Sequence, residues 1–340
     1  MGHRQSNWLA FLLLFGTSCS SQPVEGPPDA GTTAQWALVH EDLPGALLSI
    51  WGTSDTDVWV VGADARDGAG PLVLHYDGQW QRVMTGQAQG DLWWVFGFDG
   101  GPLYMGGSGG VILRYEGGTF TKLQTPTMDT VFGLWGASPD DMWAVGGTYD
   151  KNAFAWRLQG DTWVNEPTLP SDVGANAAIW KIFGTSKNDA WLVGSGGVSF
   201  HWDGSKLTPG QTGVGSSLFT VHANGDRYVA VGGLVGGVIV ENAGSGWTLA
   251  ASDTIAYGLT GVFLGAGDAA LAVGQYGSVY SRSANGWQED VTGLSIQWDL
   301  HGAWMDPSGG LWAAGGQTAS FPLTKGLLLH KGKPIVGGGI

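Results

Sequence analysis

The stretch WGTSDTDVWVVG, residues 51–62, decides the fold because the chain repeats it. Close copies are LWGASPDDMWAVGG from residue 134 and IFGTSKNDAWLVGSGG from residue 182, and weaker copies begin near residues 95, 220, 261 and 302. The glycines that close the seven copies are Gly62, Gly106, Gly146, Gly194, Gly232, Gly274 and Gly315. A repeat of about 40–45 residues is typical of propeller blades, so the copies indicate seven blades.

Each repeat predicts four short strands. In the first repeat the strand-like runs are residues 47–51, 58–61, 72–76 and 79–83. Turn residues separate these runs, and Asp77-Gly78 is a typical two-residue hairpin signal. No segment of the sequence has a sustained helical period. We therefore predict an all-β, seven-bladed β-propeller of four-stranded antiparallel blades over residues 35–340.

The seventh repeat lacks a fourth strand of its own. Pro334 stands where most other repeats begin that strand with an aromatic residue, and proline cannot donate to a strand ladder. A spare strand is available at residues 35–40, QWALVH, where Trp36 matches Trp80 of the first repeat. We expect this N-terminal strand to complete the last blade and close the ring, because an open ring would expose strand edges.

Most of the 19 tryptophans fall on fixed positions of the repeat. A large ring that recurs at one register of several blades is expected to pack sheet against sheet. Trp93, Trp180 and Trp298 are exceptions, since they stand at or just before the start of a first strand. In a propeller these starts lie near the axis, on the face with the longer loops. The three rings are expected either to fill the channel wall or to form a binding cluster there.

The connections between strands differ in how variable they are. The first-to-second and third-to-fourth turns are short and regular, whereas the second-to-third and fourth-to-first connections vary. Both variable classes emerge on one face of a propeller, and binding residues concentrate on loops that a rigid scaffold carries. The candidate binding residues on this face are Asp67, Trp93, Tyr149, Asp150, Asn152, Trp180 and Trp298.

The sequence contains no recognisable catalytic or metal-binding pattern. His75 and His201 occupy a third-strand position that holds Arg114 and Arg157 in other repeats, which indicates a polar strand position and not a catalytic base. The histidines and acids lack zinc spacing, the acidic turns lack the ligand pattern of a calcium loop, and no nucleophile elbow is present. We predict a protein that is not an enzyme and that has no metal and no cofactor.

The chain is strongly acidic, with a net charge of −14 from 15 Lys and Arg against 29 Asp and Glu. Nucleic-acid backbones are bound by clustered Lys and Arg, and the sequence contains no basic run. We therefore expect no nucleic-acid partner. We also expect no attraction between the folded body and an anionic membrane surface.

Residues 1–19 have the features of an export signal. A short basic start precedes WLAFLLLF, residues 8–15, an apolar run too short to span a bilayer. Small residues and the chain's single cysteine, Cys19, follow, and this block resembles a bacterial lipoprotein signal peptide. The resemblance implies that Cys19 carries a lipid anchor, palmitate included, and places the protein at the cell envelope, in the outer membrane. Residues 20–34 are rich in Pro, Gly, Ser and Thr, which predicts a flexible tether.

Over residues 35–336 the chain resembles the propellers with WG-S-x-x-D-x-W-x-V-G repeats in lipoproteins of myxobacteria, which are similar to BNR/Ycf48-like and kelch-like propellers. The resemblance implies the fold and the anchor and is silent about activity, since a propeller hosts many functions. Three functions stay open. The first is a scaffold that binds a protein or polysaccharide through the variable face, the second is a tectonin-like glycan lectin, and the third is a hydrolase or lyase acting in the central channel.

Overall fold

The computed structural model describes residue 1 and residues 34–149, 151–251 and 255–335. In these residues, 28 strands form seven four-stranded sheets. The first strand of each sheet contacts the first strand of the next, and the last sheet contacts the first in the same way, so the sheets form a closed ring. The seven-bladed β-propeller predicted from the repeats is therefore confirmed.

Strand β1 (Trp36–Leu43) precedes the blades in the chain, and blades 1 to 3 follow it in order. From the axis outwards, their strands are β2 (Leu47–Ser54), β3 (Asp57–Asp64), β4 (Pro71–Tyr76) and β5 (Trp80–Arg82) in blade 1; β6 (Leu92–Gly97), β7 (Leu103–Gly107), β8 (Ile112–Glu116) and β9 (Thr119–Lys122) in blade 2; and β10 (Thr130–Ser138), β11 (Asp141–Thr148), β12 (Lys151–Gln159) and β13 (Thr162–Asn165) in blade 3.

Blades 4 to 6 repeat this arrangement, and blade 7 supplies three further strands. They are β14 (Ile179–Ser186), β15 (Asp189–Gly194), β16 (Ser199–Trp202) and β17 (Leu207–Pro209) in blade 4; β18 (Leu218–Asn224), β19 (Arg227–Gly232), β20 (Val238–Asn242) and β21 (Trp247–Ala251) in blade 5; β22 (Leu259–Leu264), β23 (Ala270–Gly274), β24 (Val279–Ser283) and β25 (Gly286–Glu289) in blade 6; and β26 (Asp299–Met305), β27 (Leu311–Gln317) and β28 (Thr324–Lys331) in blade 7.

Helical structure is confined to short connections. One helix, α1 (Ser171–Asn176), and three 3₁₀ turns at Ser108–Gly110, Ser195–Gly197 and Gln275–Gly277 lie between strands. None of the described helices has the length and apolar composition needed to cross a membrane.

The N-terminal strand closes the ring, as the proline in the seventh repeat predicts. Strand β1 pairs antiparallel with β28, and Trp36 stands opposite Lys331. The ring of Trp36 is 5% exposed and belongs to the same hydrophobic cluster as Leu327 and Leu329. Blade 7 is thus one sheet built from both ends of the propeller sequence.

The Asp-x-Trp part of the repeat ties the first turn of a blade to its third strand. In blade 1 the ring of Trp59 stacks on His75 with centroids 4.0 Å apart, and Nε2 of His75 lies 2.8 Å from Oδ1 of Asp57. The same three-residue contact recurs as Asp141–Trp143–Arg157 in blade 3 and Asp189–Trp191–His201 in blade 4. His75, His201 and Arg157 therefore have a structural role within these three blades.

The glycine that closes each repeat stands where two strands meet without room for a side chain. A Cβ at Gly62 would lie 2.1 Å from the carbonyl oxygen of Ala46, a distance that no real Cβ tolerates. In blade 2 this position is Gly107, which pairs with Leu92 and whose Cβ would lie 2.1 Å from the carbonyl oxygen of Asp91. The assignment of Gly106 to this position is thus wrong by one residue, because two glycines follow each other there.

Candidate functional site

The antiparallel blades give the propeller two unlike faces. The second-to-third and fourth-to-first connections of every blade emerge on one side, here called the variable-loop face. The first-to-second and third-to-fourth turns emerge on the opposite side, here called the turn face. The strand order within each sheet fixes this division.

Exposed apolar side chains are segregated to the variable-loop face. Nine large apolar residues on its connections are exposed: Met84, Met128, Tyr149, Leu234, Val235, Tyr257, Tyr276, Val291 and Phe321. Two more, Leu38 and Leu249, lie on the outermost strands β1 and β21. In the described part of the propeller, the turn face exposes none. The exposed apolar side chains of the propeller therefore distinguish the variable-loop face from the turn face.

A β-bulge near the start of each first strand directs one side chain towards the axis. In blade 2, Leu92 pairs with Gly107 and Trp94 pairs with Gly106, so Trp93 between them has no partner across the ladder. The same shift of register occurs in all seven blades. The residues at the bulge are Leu48, Trp93, Phe132, Trp180, Phe219, Thr260 and His301. Bulges of this kind re-aim a side chain out of the regular alternation.

Six of these seven bulge residues line a cavity on the propeller axis, here called the axial cavity. Its volume is about 400 Å³, and Leu48 is the bulge residue that does not line it. Connections of the variable-loop face complete the walls. They contribute Tyr149, Leu234, Gln275, Thr318 and Ala319. The axial cavity therefore opens at the face that carries the exposed apolar residues.

One side of the axial cavity is an aromatic wall that runs through blades 7, 2, 3, 4 and 5. His301 contacts Trp93 at 5.8 Å between ring centroids, and Trp93 contacts Phe132 at 5.4 Å. Phe132 contacts Trp180 at 4.7 Å, and Trp180 contacts Phe219 at 5.8 Å. The rings meet edge to face or tilted, which are the arrangements that aromatic pairs prefer. We call these five residues the aromatic wall.

The opposite side of the axial cavity is polar. Blade 6 contributes Thr260 and Gln275, and blade 7 contributes Asp299 and Thr318. The Asp299 carboxylate accepts hydrogen bonds from the Tyr276 backbone N–H at 3.2 Å and from the Thr318 hydroxyl at 3.0 Å. The axial cavity is thus amphipathic, with rings on one side and hydrogen-bonding groups on the other.

A buried lysine completes the lining of the axial cavity. Lys181 follows the bulge residue of blade 4 and is 3% exposed. Its Nζ donates to the carbonyl oxygen of Phe132 at 2.6 Å and lies 3.7 Å from the ring centre of Trp94. Burial holds the pKa of Lys181 well below its usual range, because no carboxylate compensates for the lost hydration.

His301 is neutral at physiological pH. Burial, together with the nearby Lys181, lowers the pKa of His301 to about 4. Nδ1 lies 2.6 Å from the carbonyl oxygen of Leu48, which can only accept, so Nδ1 carries the proton. The lone pair of the neutral ring is therefore on Nε2.

A second cavity, of about 370 Å³, lies at the turn-face end of the channel. Its walls include Trp51, Phe96, Phe183, His222 and Phe263. Each of these residues lies three positions after the bulge residue of its first strand, as Phe183 lies after Trp180. Burial lowers the pKa of His222 to about 3. This cavity has no lysine or arginine in its lining and no exposed apolar rim.

The structure brings three of the candidate binding residues together. Trp93, Trp180 and Tyr149 all line the axial cavity. Asn152 lies on the same face, where its Nδ2 donates to Oδ1 of Asp129 at 3.3 Å. Asp150 falls outside the described residues.

Two other candidates lie away from the axial cavity. Asp67 is on the loop between β3 and β4 and forms an ion pair with Arg82 of the outermost strand β5. The hydrogen bond from Arg82 lowers the pKa of Asp67 to about 2. Trp298 packs against the hydrophobic cluster that contains Trp36 of the closing strand. A loop position or a place before a first strand does not by itself bring a side chain to the axis.

Sequence reasoning missed most of the axial cavity. Phe132, Phe219, Thr260 and His301 stand at the bulge position, and Lys181 follows it. A sequence pattern does mark the bulge position, because each bulge residue directly follows the buried apolar residue at the start of its first strand. A column-by-column comparison of the seven repeats at that position would have grouped them.

In the described residues no group of three or more His, Cys, Asp and Glu side chains could hold a metal ion. Cys19 is not among those residues.

No protein-family model matches the chain, and no curated protein matches it. Several solved structures do. YCF48 from Cyanidioschyzon merolae has a TM-score of 0.65 at 17% identity, covering 88% of this chain and 98% of that one. Virginiamycin B lyase from Staphylococcus aureus has a TM-score of 0.66 at 16% identity, covering 87% and 98%. A structure of YCF48 bound to D1 peptide has a TM-score of 0.65 at 14% identity, covering 88% and 97%. At these identities the likenesses show the fold alone, and the chain is a seven-bladed β-propeller.

Proposed function

We propose that this propeller is a binding scaffold that performs no covalent chemistry and holds a protein partner on its variable-loop face. The observation that carries the proposal is the segregation of exposed apolar side chains to that face. Interfaces gather aromatic and aliphatic groups at their centre, and a rigid scaffold keeps such groups in place without ordering cost.

The composition of the face favours a protein over a polysaccharide. Leu234 and Val235 are exposed beside the aromatic residues of this face, and aliphatic side chains lack the flat ring that stacks on a sugar. Tyr257 and Tyr276 contact each other at 4.9 Å between ring centroids, and Tyr276 directly follows Gln275, which lines the axial cavity. YCF48, a propeller of similar fold, has been solved bound to D1 peptide, which supports a peptide or protein as the kind of partner.

Site-specific photo-cross-linking tests the proposed interface. A benzophenone amino acid placed at Leu234 or Tyr276 is expected to give discrete protein adducts in the producing cells. The same amino acid at Leu38 or Leu249 is the matched control, because those residues are also exposed and apolar but lie on outermost strands. Adducts are detected by a gel shift and identified by mass spectrometry. Equal cross-linking from all four positions, or adducts from the outer strands alone, would contradict the proposal.

A glycan lectin of the tectonin-like kind is the alternative. The axial cavity supports it, because Trp93 and Trp180 face a polar side formed by Gln275 and Asp299, and sugars combine stacking with hydrogen bonds. Similar sites between blades would add avidity. A glycan array on the purified protein separates the two functions, since a lectin would react with several glycans that share one terminal sugar.

A channel enzyme is the third interpretation. The propeller of virginiamycin B lyase has a similar fold, so the fold itself is compatible with catalysis. His301 could act as a base at Nε2, but its pKa of about 4 makes it a weak one near neutral pH. We therefore rank this interpretation below the other two.

The lipid anchor is part of the proposed function. We infer that Cys19 is lipidated and that residues 20–34 tether the propeller to the bacterial cell envelope, at the outer membrane. Cys19→Ala is expected to release the protein from the membrane fraction, because each buried CH₂ of the acyl chains contributes about 0.8 kcal/mol of binding. Ser21→Ala is the matched control and should stay bound. Fractionation and mass spectrometry of the N-terminus measure the outcome, and an unlipidated wild type that still sediments with membranes would refute the anchor.

A further inference from the structure

We propose that the axial cavity is a binding site for a ligand that joins an aromatic or bulky apolar group to a single carboxylate. The carboxylate would pair with Lys181, and the apolar group would lie against Trp93, Phe132 and Trp180. The proposal concerns the axial cavity alone and does not depend on which protein docks on the face above it.

Lys181 is the first reason for the proposal. Its ammonium has three hydrogens, and the Phe132 carbonyl oxygen accepts one of them. Among the described residues no acidic side chain forms an ion pair with Nζ, although the chain carries 29 acidic residues. A buried ammonium without a counter-ion is costly, and a carboxylate in the axial cavity would supply the missing partner and further acceptors.

The aromatic wall is the second reason. Trp93 and Trp180 are half-buried, so part of each ring is open to the axial cavity, and Phe132 contacts both of them. A volume of about 400 Å³ lies within the range of small-ligand pockets, which combine apolar walls with a few placed polar groups. In the proposed complex a flat ring would stack on this wall with its acid directed towards Lys181.

The charges of the lining favour one negative group. An organic cation would meet Lys181, and a phosphate group would call for several Lys or Arg side chains where this cavity has one lysine and no arginine. Asp299 also lines the axial cavity, but Tyr276 and Thr318 donate to its carboxylate on the polar side. The anion is therefore expected on the side of the cavity that carries Lys181.

Isothermal titration calorimetry with defined probes tests the site. The probes are 3-phenylpropionate and its neutral amide, and the tripeptide Gly-Gly-Phe with a free or an amidated C-terminus. We expect the wild-type protein to bind the acids more tightly than the amides by about tenfold or more, which is the loss expected when one charge-assisted contact is removed. Tighter binding of 3-phenylpropionate than of Gly-Gly-Phe points to a small-molecule ligand. Tighter binding of Gly-Gly-Phe points to a peptide C-terminus.

Lys181→Met keeps the length of the side chain and removes its charge, so it should abolish the preference for the acid. Lys206→Met is the matched control, because Lys206 is exposed in a turn and should leave the preference unchanged. Lys181→Met is also expected to melt at the same or a higher temperature than the wild type, since a buried uncompensated charge is removed. If it does not fold, Lys181→Gln replaces it. Equal binding of acids and amides, no binding of either, or a preference that survives the loss of Lys181 would each overturn the proposal.

Discussion

Removal of strand β1 is expected to abolish cooperative folding of the propeller. Without Trp36–Leu43, strand β28 would become an unpaired edge, and blade 7 would have three strands drawn from one end of the sequence only. Trp36→Ala alone should lower the free energy of unfolding by about 3–5 kcal/mol, as is usual for a buried tryptophan. Trp36 is 5% exposed and belongs to the same hydrophobic cluster as Leu327 and Leu329, so the substitution would leave a cavity in packed apolar surroundings.

Leu38→Ala is the matched control for Trp36→Ala. Leu38 lies on the same strand as Trp36 and pairs with Leu329 across the ladder, but its side chain is exposed. Its loss should change the free energy of unfolding by about 0.5 kcal/mol or less. Urea unfolding followed by circular dichroism measures both variants. If the Trp36→Ala and Leu38→Ala proteins unfolded at the same urea concentration, the ring would be held closed by other contacts.

The fold could be predicted from the sequence because the sequence pattern of one blade occurs seven times. Each blade buries the same apolar columns and needs the same turn residues, so seven imperfect copies correct one another. The closing strand was readable for a different reason. Pro334 cannot donate a backbone hydrogen bond to a ladder, and Trp36 supplies the aromatic residue that the seventh repeat lacks.

The axial cavity was harder to predict, because a bulge depends on strand register. A shift of one residue sends a side chain to the other side of a sheet, and the register of blade 2 was ambiguous between Gly106 and Gly107. Trp93 and Trp180 were identified because they fall outside the repeated tryptophan positions and stand at the start of a first strand. Thr260 and His301 occupy the same position in blades 6 and 7 but differ in size and polarity, so composition alone did not group them with the tryptophans.

Trp298 shows the limit of arguing from position along the chain. It directly precedes β26, so it was expected near the axis. Its ring instead joins the cluster that contains Trp36 from the closing strand. Two sequence segments far apart in the chain create this environment, and no pattern within one repeat could reveal it.

Loss of the Trp143 ring is expected to cost about 3–5 kcal/mol of unfolding free energy, within the range for burying a large aromatic residue. Trp143 is fully buried and stands between two blades. The guanidinium of Arg157 from its own blade lies 4.3 Å from its ring centre, and Trp202 of blade 4 contacts it at 5.1 Å. Trp143→Ala therefore removes packing on both sides of the blade interface, and urea unfolding should report a lower midpoint with a similar slope.

Tyr149→Ala is the contrasting variant, since its side chain is exposed at the mouth of the axial cavity. It should leave the free energy of unfolding within about 0.5 kcal/mol of the wild type. Trp93→Ala and Trp180→Ala should fall between the two extremes, because these rings are half-buried and contact Phe132. The loss of unfolding free energy should thus be largest for Trp143→Ala, intermediate for Trp93→Ala and Trp180→Ala, and smallest for Tyr149→Ala. This order would separate residues that hold the blades together from residues of the binding surface. If Tyr149→Ala were as destabilising as Trp143→Ala, the variable-loop face would be part of the packed framework and not a surface free to bind a partner.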